Sequence, residues 1–271
     1  MSAGVIEAPI GQSEGPEFRP RYDLTQDELD VLDQQIVTSV SEAYPEEGLY
    51  SALISPNHPY SNFVRGQEAK FFPEVKDFPA ELEDNTLLFA LVDTRQASNR
   101  VVHVGTVSGP GLRQNPDANP DSTGFLSVDE LVGLGNFTTE EFNAHYEQKG
   151  LVLDKCIAVE TNIRVGEPVE KYHGFRTVDL GYLTLFGLVD RPGVEPGEAV
   201  VFASINRASA ISFGRVGIQC EPLMDREDLL TPESFYGRTS TPVAIPFHEE
   251  IFRAMGPQLP SVSFGIEAPA K

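Results

Sequence analysis

Residues 198–218, EAVVFASINRASAISFGRVGI, constrain the fold of this chain more than any other stretch. The first eight residues form a short, continuous apolar run, which predicts a buried β-strand. Asn206 follows at once as a good helix N-cap, and Gly217 is a good C-cap eleven residues later. We therefore expect a buried strand that passes directly into a short helix, which requires a sheet with helices packed on it.

Three further strands are predicted upstream of this unit. LVLDKCIAVETNI, at residues 151–163, is a continuous apolar run typical of a strand buried on both faces. NTLLFALVDT and RVVHVGTVSG, separated by RQASN, indicate an antiparallel hairpin. IQCEPLM and TPVAIPF favour two more strands near the C-terminal end of the sequence. The chain thus carries enough strand patterns for one large sheet.

Helices are predicted before, between and after these strands. Thr25 is a good N-cap for a first helix with acidic residues in its first turn. NFVRGQEAKFF predicts a second helix that ends before Pro73, and two short capped helices are expected near residues 125–150. A helix is expected to begin at Thr177, and HEEIFRAMG favours a last short one. This order predicts an α/β chain of the α+β type.

The domain organisation follows from composition along the chain. Residues 1–20 are rich in Gly, Pro and Glu without periodicity, which predicts a flexible N-terminal arm. Residues 21–271 are expected to form a single domain, with a helical insert at about 110–150. With 271 residues, of which 40% are hydrophobic, the chain is long enough for a sizeable core.

Charge and cysteine content exclude several classes of function. The net charge of −21, from 41 acidic and 20 basic residues, argues against nucleic acid and anionic membranes as partners, because both are polyanions. Cys156 and Cys220 have no metal-ligand spacing, so no metal is expected, and Cys156 is predicted to be a core residue. The sequence shows no signal peptide and no apolar run of membrane-spanning length, so we expect a cytoplasmic protein without a membrane span.

The strand-to-helix unit resembles one in the GNAT acyltransferase superfamily. In that family the fifth strand leads into a helix of the form Asn, six residues, Tyr, three residues, Gly-Phe; Asn206, Phe213, Gly217 and Ile218 stand at those positions here. The hairpin looks like the family's second and third strands. DKCIAVETNIRV looks like its fourth. The resemblance covers roughly residues 85–220 and implies a mixed, mostly antiparallel central sheet with a splayed pair of strands and helices on both faces.

The resemblance implies a site for an acyl thioester between the fourth and fifth strands, with acyl-CoA or coenzyme A as the co-substrate. A helix N-terminus near Gly174 would bind the pyrophosphate, helped by Lys171 and Arg176. The residues that it assigns to this binding are Thr161, Asn162, Ile163, Lys171, Gly174, Phe175, Arg176, Thr177, Asn206 and Phe213. Phe202 can line an acyl pocket or belong to the core.

Three features depart from the family pattern. The compact phosphate-binding loop is replaced by the longer RVGEPVEKYHGFRTVDLG, and Phe213 stands where a proton-donating Tyr is usual. The helical insert before the fourth strand is not part of the minimal fold. The long-chain N-acyl amino acid synthases and the acyl-homoserine-lactone synthases share the missing loop and the helical insert. Because the lactone synthases' third-strand Arg is absent from HVGTVSG, the likeness favours a generic acyl-amine synthase over a lactone synthase.

Transfer to an amine needs a group that accepts a proton. Glu160, near the end of the predicted fourth strand, is the candidate base; the alternative is a solvated strand-end acid. His173 is the second candidate, against a simple surface-loop role. We therefore expect an acyl-CoA-dependent N-acyltransferase that acts on an amine such as an amino acid, by direct transfer through a tetrahedral intermediate.

A second hypothesis is a catalytically inactive GNAT-fold domain that binds a ligand or a protein. Phe213 and the degenerate phosphate loop favour it. For the enzyme, acyl carrier protein is an alternative donor. The acidic surface favours coenzyme A, since only Lys171, Arg176, Arg207 and Arg215 offer a basic patch for an acidic carrier. The acceptor amine, the acyl length and the oligomeric state stay open.

Overall fold

The computed structural model of the protein describes residues 25–71, 86–95, 99–112, 121–165, 197–215, 218–230, 240–246 and 261–264. In chain order, the helices and strands of these residues are α1 (Gln26–Ala43), β1 (Leu49–Ile54), α2 (Ser61–Phe71), β2 (Thr86–Asp93), β3 (Arg100–Ser108), α3 (Leu126–Gly133), α4 (Thr139–Gln148), β4 (Ile157–Arg164), β5 (Val200–Asn206), α5 (Arg207–Arg215), β6 (Glu221–Pro222), β7 (Ser240–Pro246) and β8 (Ser261–Phe264). Short 3₁₀ turns lie at Pro110–Leu112, Leu153–Lys155, Leu223–Asp225 and Glu227–Leu230.

One sheet holds all the described strands, in the order β6-β7-β5-β4-β3-β2-β1-β8. The pairs β1–β2, β2–β3, β3–β4, β5–β7 and β6–β7 are antiparallel. The pairs β4–β5 and β1–β8 are parallel. The prediction of an α+β chain with a mixed, mostly antiparallel sheet is confirmed.

Helices cover both faces of this sheet. Along β2, alternate side chains enter two separate apolar clusters, because successive side chains of a strand point to opposite faces. Leu88 belongs to the cluster that contains Ile36 of α1 and Phe63 of α2. Phe89 belongs to the cluster that contains Phe142 of α4 and other side chains of α3 and α5. The sheet is therefore the middle layer between two groups of helices.

Several sequence predictions are confirmed and some are corrected. The hairpin, the fourth and fifth strands, the helix after the fifth strand and both short helices near residues 125–150 are present. Two strands were not predicted: β1 is only six residues long, and β8 only four. The strand expected at IQCEPLM shrinks to Glu221–Pro222, because the chain turns at Met224 and Asp225, both with positive φ. The N-terminal arm, the helix predicted at Thr177 and the helix predicted at HEEIFRAMG lie outside the described residues.

None of the described helices combines the length and the apolar character needed to cross a membrane. Cys156 is fully buried, as predicted for a core residue, and its thiol contacts the carbonyl oxygen of Val152 at 3.6 Å.

A carboxyl group attaches α1 to the sheet. The amide of Val101 in β3 donates to Oδ1 of Asp33 at 3.1 Å. Burial of this side chain raises the pKa of Asp33 to about 6, although the Val101 hydrogen bond opposes the shift. Folding therefore favours the protonated form of Asp33.

We expect Asp33→Asn to flatten the pH dependence of stability. In the native protein, the stabilising effect of protonated Asp33 is complete below the unfolded pKa and is lost as pH rises through about 6. Asn keeps an oxygen that accepts from Val101 but has no charge to bury. The free energy of unfolding in urea should therefore increase for the variant, relative to the wild type, by about 1–2 kcal/mol as the pH rises from about 4 to 7.5. This value allows for the partial exposure of Asp33.

The control is Glu42→Gln, which removes an exposed carboxylate from the same helix and should change stability by less than about 0.5 kcal/mol at every pH. Parallel stability curves for the wild type and the Asp33 variant would contradict the assignment.

Candidate functional site

The parallel strands β4 and β5 pair only where they begin. Their register joins Ile157 to Val201, Ala158 to Phe202 and Val159 to Ala203. Over the rest of these two strands, which are described in full, β4 stays on β3 and β5 stays on β7. The space between residues 160–164 of β4 and 204–206 of β5 is called the β4–β5 gap below.

A β-bulge lies at the point where the gap opens. Val107 of β3 pairs with Val159, and Thr106 pairs with Thr161. Glu160 is therefore an extra residue of β4 that has no pairing partner in β3. A bulge twists its strand and redirects side chains, and bulges are over-represented next to active sites. The bulge therefore places one acidic side chain at the separation of the two parallel strands.

The Glu160 carboxylate binds the first turn of α3. The amide of Ser127 donates to Oε2 at 3.0 Å, and the Ser108 hydroxyl donates to Oε1. Ser108 Oγ in turn accepts from the amide of Leu126 at 3.0 Å. The carboxylate thus satisfies helix amides that would otherwise lack an intrahelical acceptor.

Burial raises the pKa of Glu160 to about 7. The hydrogen bonds from Ser108 and Ser127 act in the opposite direction, and the negative charge of Asp129 adds to the rise. Glu130, on the next turn of α3, also has its pKa raised to about 7, first by burial and then by Glu160. These two carboxyl groups can therefore accept or release a proton near neutral pH, as acid–base catalysis requires.

A small recess borders the gap at Ser204. Much of its space is open to solvent, and it has room for no more than about one water molecule. The residues that line it come from α3, β5, β7 and the turn after β6: Ser127, Val128, Leu131, Phe202, Ala203, Ser204, Leu223, Pro242 and Val243. Phe202 packs against the rings of Phe125 and Tyr146, each with its centroid 4.9 Å away, so this wall is part of the core. Ser127, whose amide binds Glu160, connects this recess to the carboxyl group.

The structure gives Asn206 and Phe213 structural roles. Oδ1 of Asn206 accepts from the amide of Ser209 at 2.9 Å, which makes Asn206 the N-cap of α5. Phe213 is 2% exposed and packs in the core, whereas Ile211 is 47% exposed. The amide of Ile218 donates to the Phe213 carbonyl at 3.0 Å and closes the helix.

Three predicted site residues follow the bulge within β4. The Thr161 hydroxyl donates to Glu68 of α2. Asn162 Oδ1 lies 3.2 Å from His103 Nδ1, and Ile163 is buried among side chains of the α1–α2 layer. Because each side chain has a partner elsewhere, the main chain of these residues is the part best suited to meet a ligand.

The other predicted residues lie outside the described part of the chain. They are Lys171, His173, Gly174, Phe175, Arg176 and Thr177. The side chains of Arg207 and Arg215, which belong to the expected basic patch, are not among the described ones. Of the predicted site, the structure therefore brings together Glu160 and Thr161–Ile163 on one side of the gap, with Asn206 at the end of β5 on the other.

Ser108, Ser127 and Glu130 were not predicted as site residues. The sequence marks Ser127 as part of a helix start, but a start signal does not tell which strand the helix meets. Among the described residues, no group of three or more His, Cys, Asp or Glu side chains is arranged to hold a metal ion. Comparisons with known protein families, curated proteins and solved structures found no significant match.

We expect Ser108→Ala to raise the pKa of Glu160 further. The substitution removes a hydrogen bond that favours the charged carboxylate, while the burial that favours the neutral acid stays. It should also cost about 1 kcal/mol of stability, because the amide of Leu126 loses its acceptor. The titration is followed by carbon-13 NMR of the carboxyl groups, with Glu160→Gln identifying the resonance.

The matched control is Ser41→Ala, which removes a hydroxyl hydrogen bond to Val37 within α1. It should leave the Glu160 titration in place. A Ser108 variant with an unchanged or lower midpoint would show that the hydroxyl does not stabilise the carboxylate.

Proposed function

We propose that the protein is an N-acyltransferase of the GNAT type, which moves an acyl group from an acyl thioester to an amine such as an amino acid. The observation that carries this proposal is the Glu160 carboxyl group, with its pKa raised to about 7, at the bulge where β4 and β5 separate. The sequence likeness assigns the thioester to this interval between the fourth and fifth strands. A helix directly after β5 adds to the same likeness.

The β4–β5 gap suits the arm of an acyl-CoA. A pantetheine arm is extended and carries amide groups, so it can pair with an open strand edge in the manner of an added strand. Residues 160–164 of β4 do not pair with β5. In this proposal, the backbone N–H groups of Thr161 to Ile163 polarise the thioester carbonyl.

The chemical step needs one proton acceptor and one proton donor. The neutral amine attacks the thioester carbonyl, and the Glu160 carboxylate takes a proton from the attacking nitrogen. The tetrahedral intermediate collapses, the C–S bond breaks, and the thiolate leaves. An amide and a free thiol are the products.

The proton donor to the thiolate differs from the one usual in the family. Phe213 has no acidic proton and is 2% exposed. Glu160, protonated in the first half of the reaction, can return the proton to the thiolate directly or through water. One carboxyl group then serves as base and acid in turn, for which a pKa near 7 is well suited. Acyl-CoA as donor agrees with the cytoplasmic location expected from the sequence.

A second candidate function is ligand binding without transfer. Two observations favour it: Asn206 is engaged as a helix cap, and Phe213 packs in the core. A protein of this kind would bind coenzyme A or its thioesters in the same gap but would not release thiol in the presence of amines.

We expect Glu160→Gln to lower kcat/KM by about 10²–10⁴-fold, because it removes the proton acceptor but keeps a side chain of the same size. The full-length protein is titrated calorimetrically with coenzyme A and with acyl-CoAs of increasing length. Thiol release is then measured with a panel of amino acids and other amines.

Asp33→Asn is the matched control, since it neutralises another partly buried carboxyl with a raised pKa, which binds Val101 of β3 and, among the described residues, has no hydrogen bond to β4 or β5. It should leave turnover unchanged. Thioester binding without thiol release for any amine would favour the ligand-binding alternative. The absence of thioester binding would contradict both the acyltransferase and the ligand-binding function.

The pH profile gives an independent test. Because the base must be ionised, log kcat/KM of the wild type should rise with pH and bend near 7, the pKa of Glu160. Deprotonation of the acceptor amine also raises kcat/KM at higher pH, and it does so equally in the wild type and in Glu160→Gln. The ratio of the two profiles therefore isolates Glu160, and a ratio that is constant between about pH 5.5 and 8.5 would exclude it as the base.

A further inference from the structure

A cluster of buried polar side chains lies between α2 and the sheet and meets the proposed reaction site only at Thr161. Arg65 and Glu68 face each other across one turn of α2, with Nη1 and Oε2 3.1 Å apart. They are 4% and 0% exposed. A buried ion pair is costly to desolvate and is stable only where further hydrogen bonds complete it.

Three threonines on three different strands hydrogen-bond to this ion pair, although Arg65 Nε has no hydrogen-bond partner among the described residues. Glu68 Oε1 accepts from the hydroxyls of Thr106 in β3 and Thr161 in β4. Arg65 donates to Oγ1 of Thr106 at 3.2 Å and to Oγ1 of Thr86 in β2 at 3.1 Å. One helix is thereby bonded to three neighbouring strands through a single pair of charges.

Two of these threonines form the residue pair next to the bulge. Thr106 pairs with Thr161, and the next pair along is Val107 with Val159. The amide of Thr106 donates at 3.0 Å to the hydroxyl of Thr161, so a side chain also joins the two strands here. The same hydroxyl donates to Glu68. The Glu68 carboxylate therefore holds both residues on one side of the extra residue.

A bulge is not fixed by the strand ladder alone. Moving the extra residue by one position would replace one backbone pair by another of similar strength, but it would reverse which side chains face each layer. Moving it past Thr161 would break the hydroxyl contacts with Glu68 and leave a buried charge undersatisfied, which is strongly unfavourable. The ion pair thus selects Glu160 as the extra residue.

We propose that Glu68, held by Arg65, is a positioning residue that fixes the bulge of β4 and so holds the Glu160 carboxylate at the opening of the β4–β5 gap. Its importance for catalysis rests on the proposed function; its effect on the place of Glu160 does not. Glu68 touches no reacting atom in this scheme and acts through Thr106 and Thr161.

The electrostatic surroundings of Glu160 make the effect measurable. Asp129 and Glu130 of α3 act on it by charge, while Ser108 and Ser127 donate hydrogen bonds to it. Burial is the largest cause of its raised pKa. If the bulge relaxes and the carboxyl gains solvent, the titration midpoint falls toward that of an ordinary glutamate.

The test compares the Glu160 titration, followed by carbon-13 NMR, in Thr106→Val, Thr106→Ser and Glu68→Gln. Thr106→Val should lower the midpoint by about half a pH unit or more. Thr106→Ser, which keeps the hydroxyl, should restore it. Glu68→Gln should lower the midpoint if the variant folds; because it leaves Arg65 without its counter-ion, Thr106→Val is the deciding variant.

The matched control is Thr94→Val. Thr94 is 6% exposed, and its hydroxyl makes two hydrogen bonds to Gly48 near the opposite end of β2 from Thr86. Thr94→Val should lower the unfolding temperature about as much as Thr106→Val does, but it should leave the titration midpoint of Glu160 unchanged. Equal midpoints in the Thr94 and Thr106 variants, or no restoration by Ser, would overturn the proposal.

Thiol release separates this proposal from the proposed function. If the midpoint moves as expected and no variant, the wild type included, transfers an acyl group, the positioning stands and the proposed reaction fails. If the wild type is active and Thr106→Val keeps both its midpoint and its kcat, the positioning fails and the reaction stands.

Discussion

The parallel contact between β4 and β5 is the constraint on which the rest of the structure depends. It joins the part of the sheet ordered β8-β1-β2-β3-β4 to the part ordered β5-β7-β6, yet it has only three residue pairs. Both strands continue beyond it, each held by its outer neighbour. The protein therefore keeps an opening in the middle of its sheet, and the core on either side, not the β4–β5 ladder, must hold the two halves together.

The sequence predicts the helices and strands of this sheet better than the way in which they pair and pack. Continuous apolar runs located β4 and β5, two strand patterns joined by RQASN located the hairpin, and caps located α4 and α5. The cap expected at Ser127 was wrong, because Ser127 lies inside α3, whose N-cap is Phe125. These signals are local. The strands β1 and β8 were not predicted, because strands of six and four residues are too short to show a hydrophobic period. In addition, β8 pairs with a strand that lies far away in the sequence.

The same limit holds for the candidate site. Glu160 was identified because an acid at the end of an apolar strand stands out from its surroundings. The bulge that redirects it depends on register with β3, and the pKa depends on the first turn of α3, and neither is encoded within the strand itself. Asn206 and Phe213 fit a family spacing equally well as ligand contacts or as cap and core. The structure shows Asn206 as the cap of α5 and Phe213 in the core, and their contact with a ligand stays a prediction.

The outer edge of the sheet has a consequence for how the chain folds. β8 pairs in parallel with β1, although residues 261–264 follow residues 51–54 by more than two hundred positions. During synthesis, β1 must wait for about two hundred further residues before β8 can cover its second edge. Until then its sequence LYSALI presents an uncharged, largely apolar strand edge, the kind of surface on which growing chains associate. Such long-range closure also slows folding, so β1 depends for its protection on a strand that is made much later.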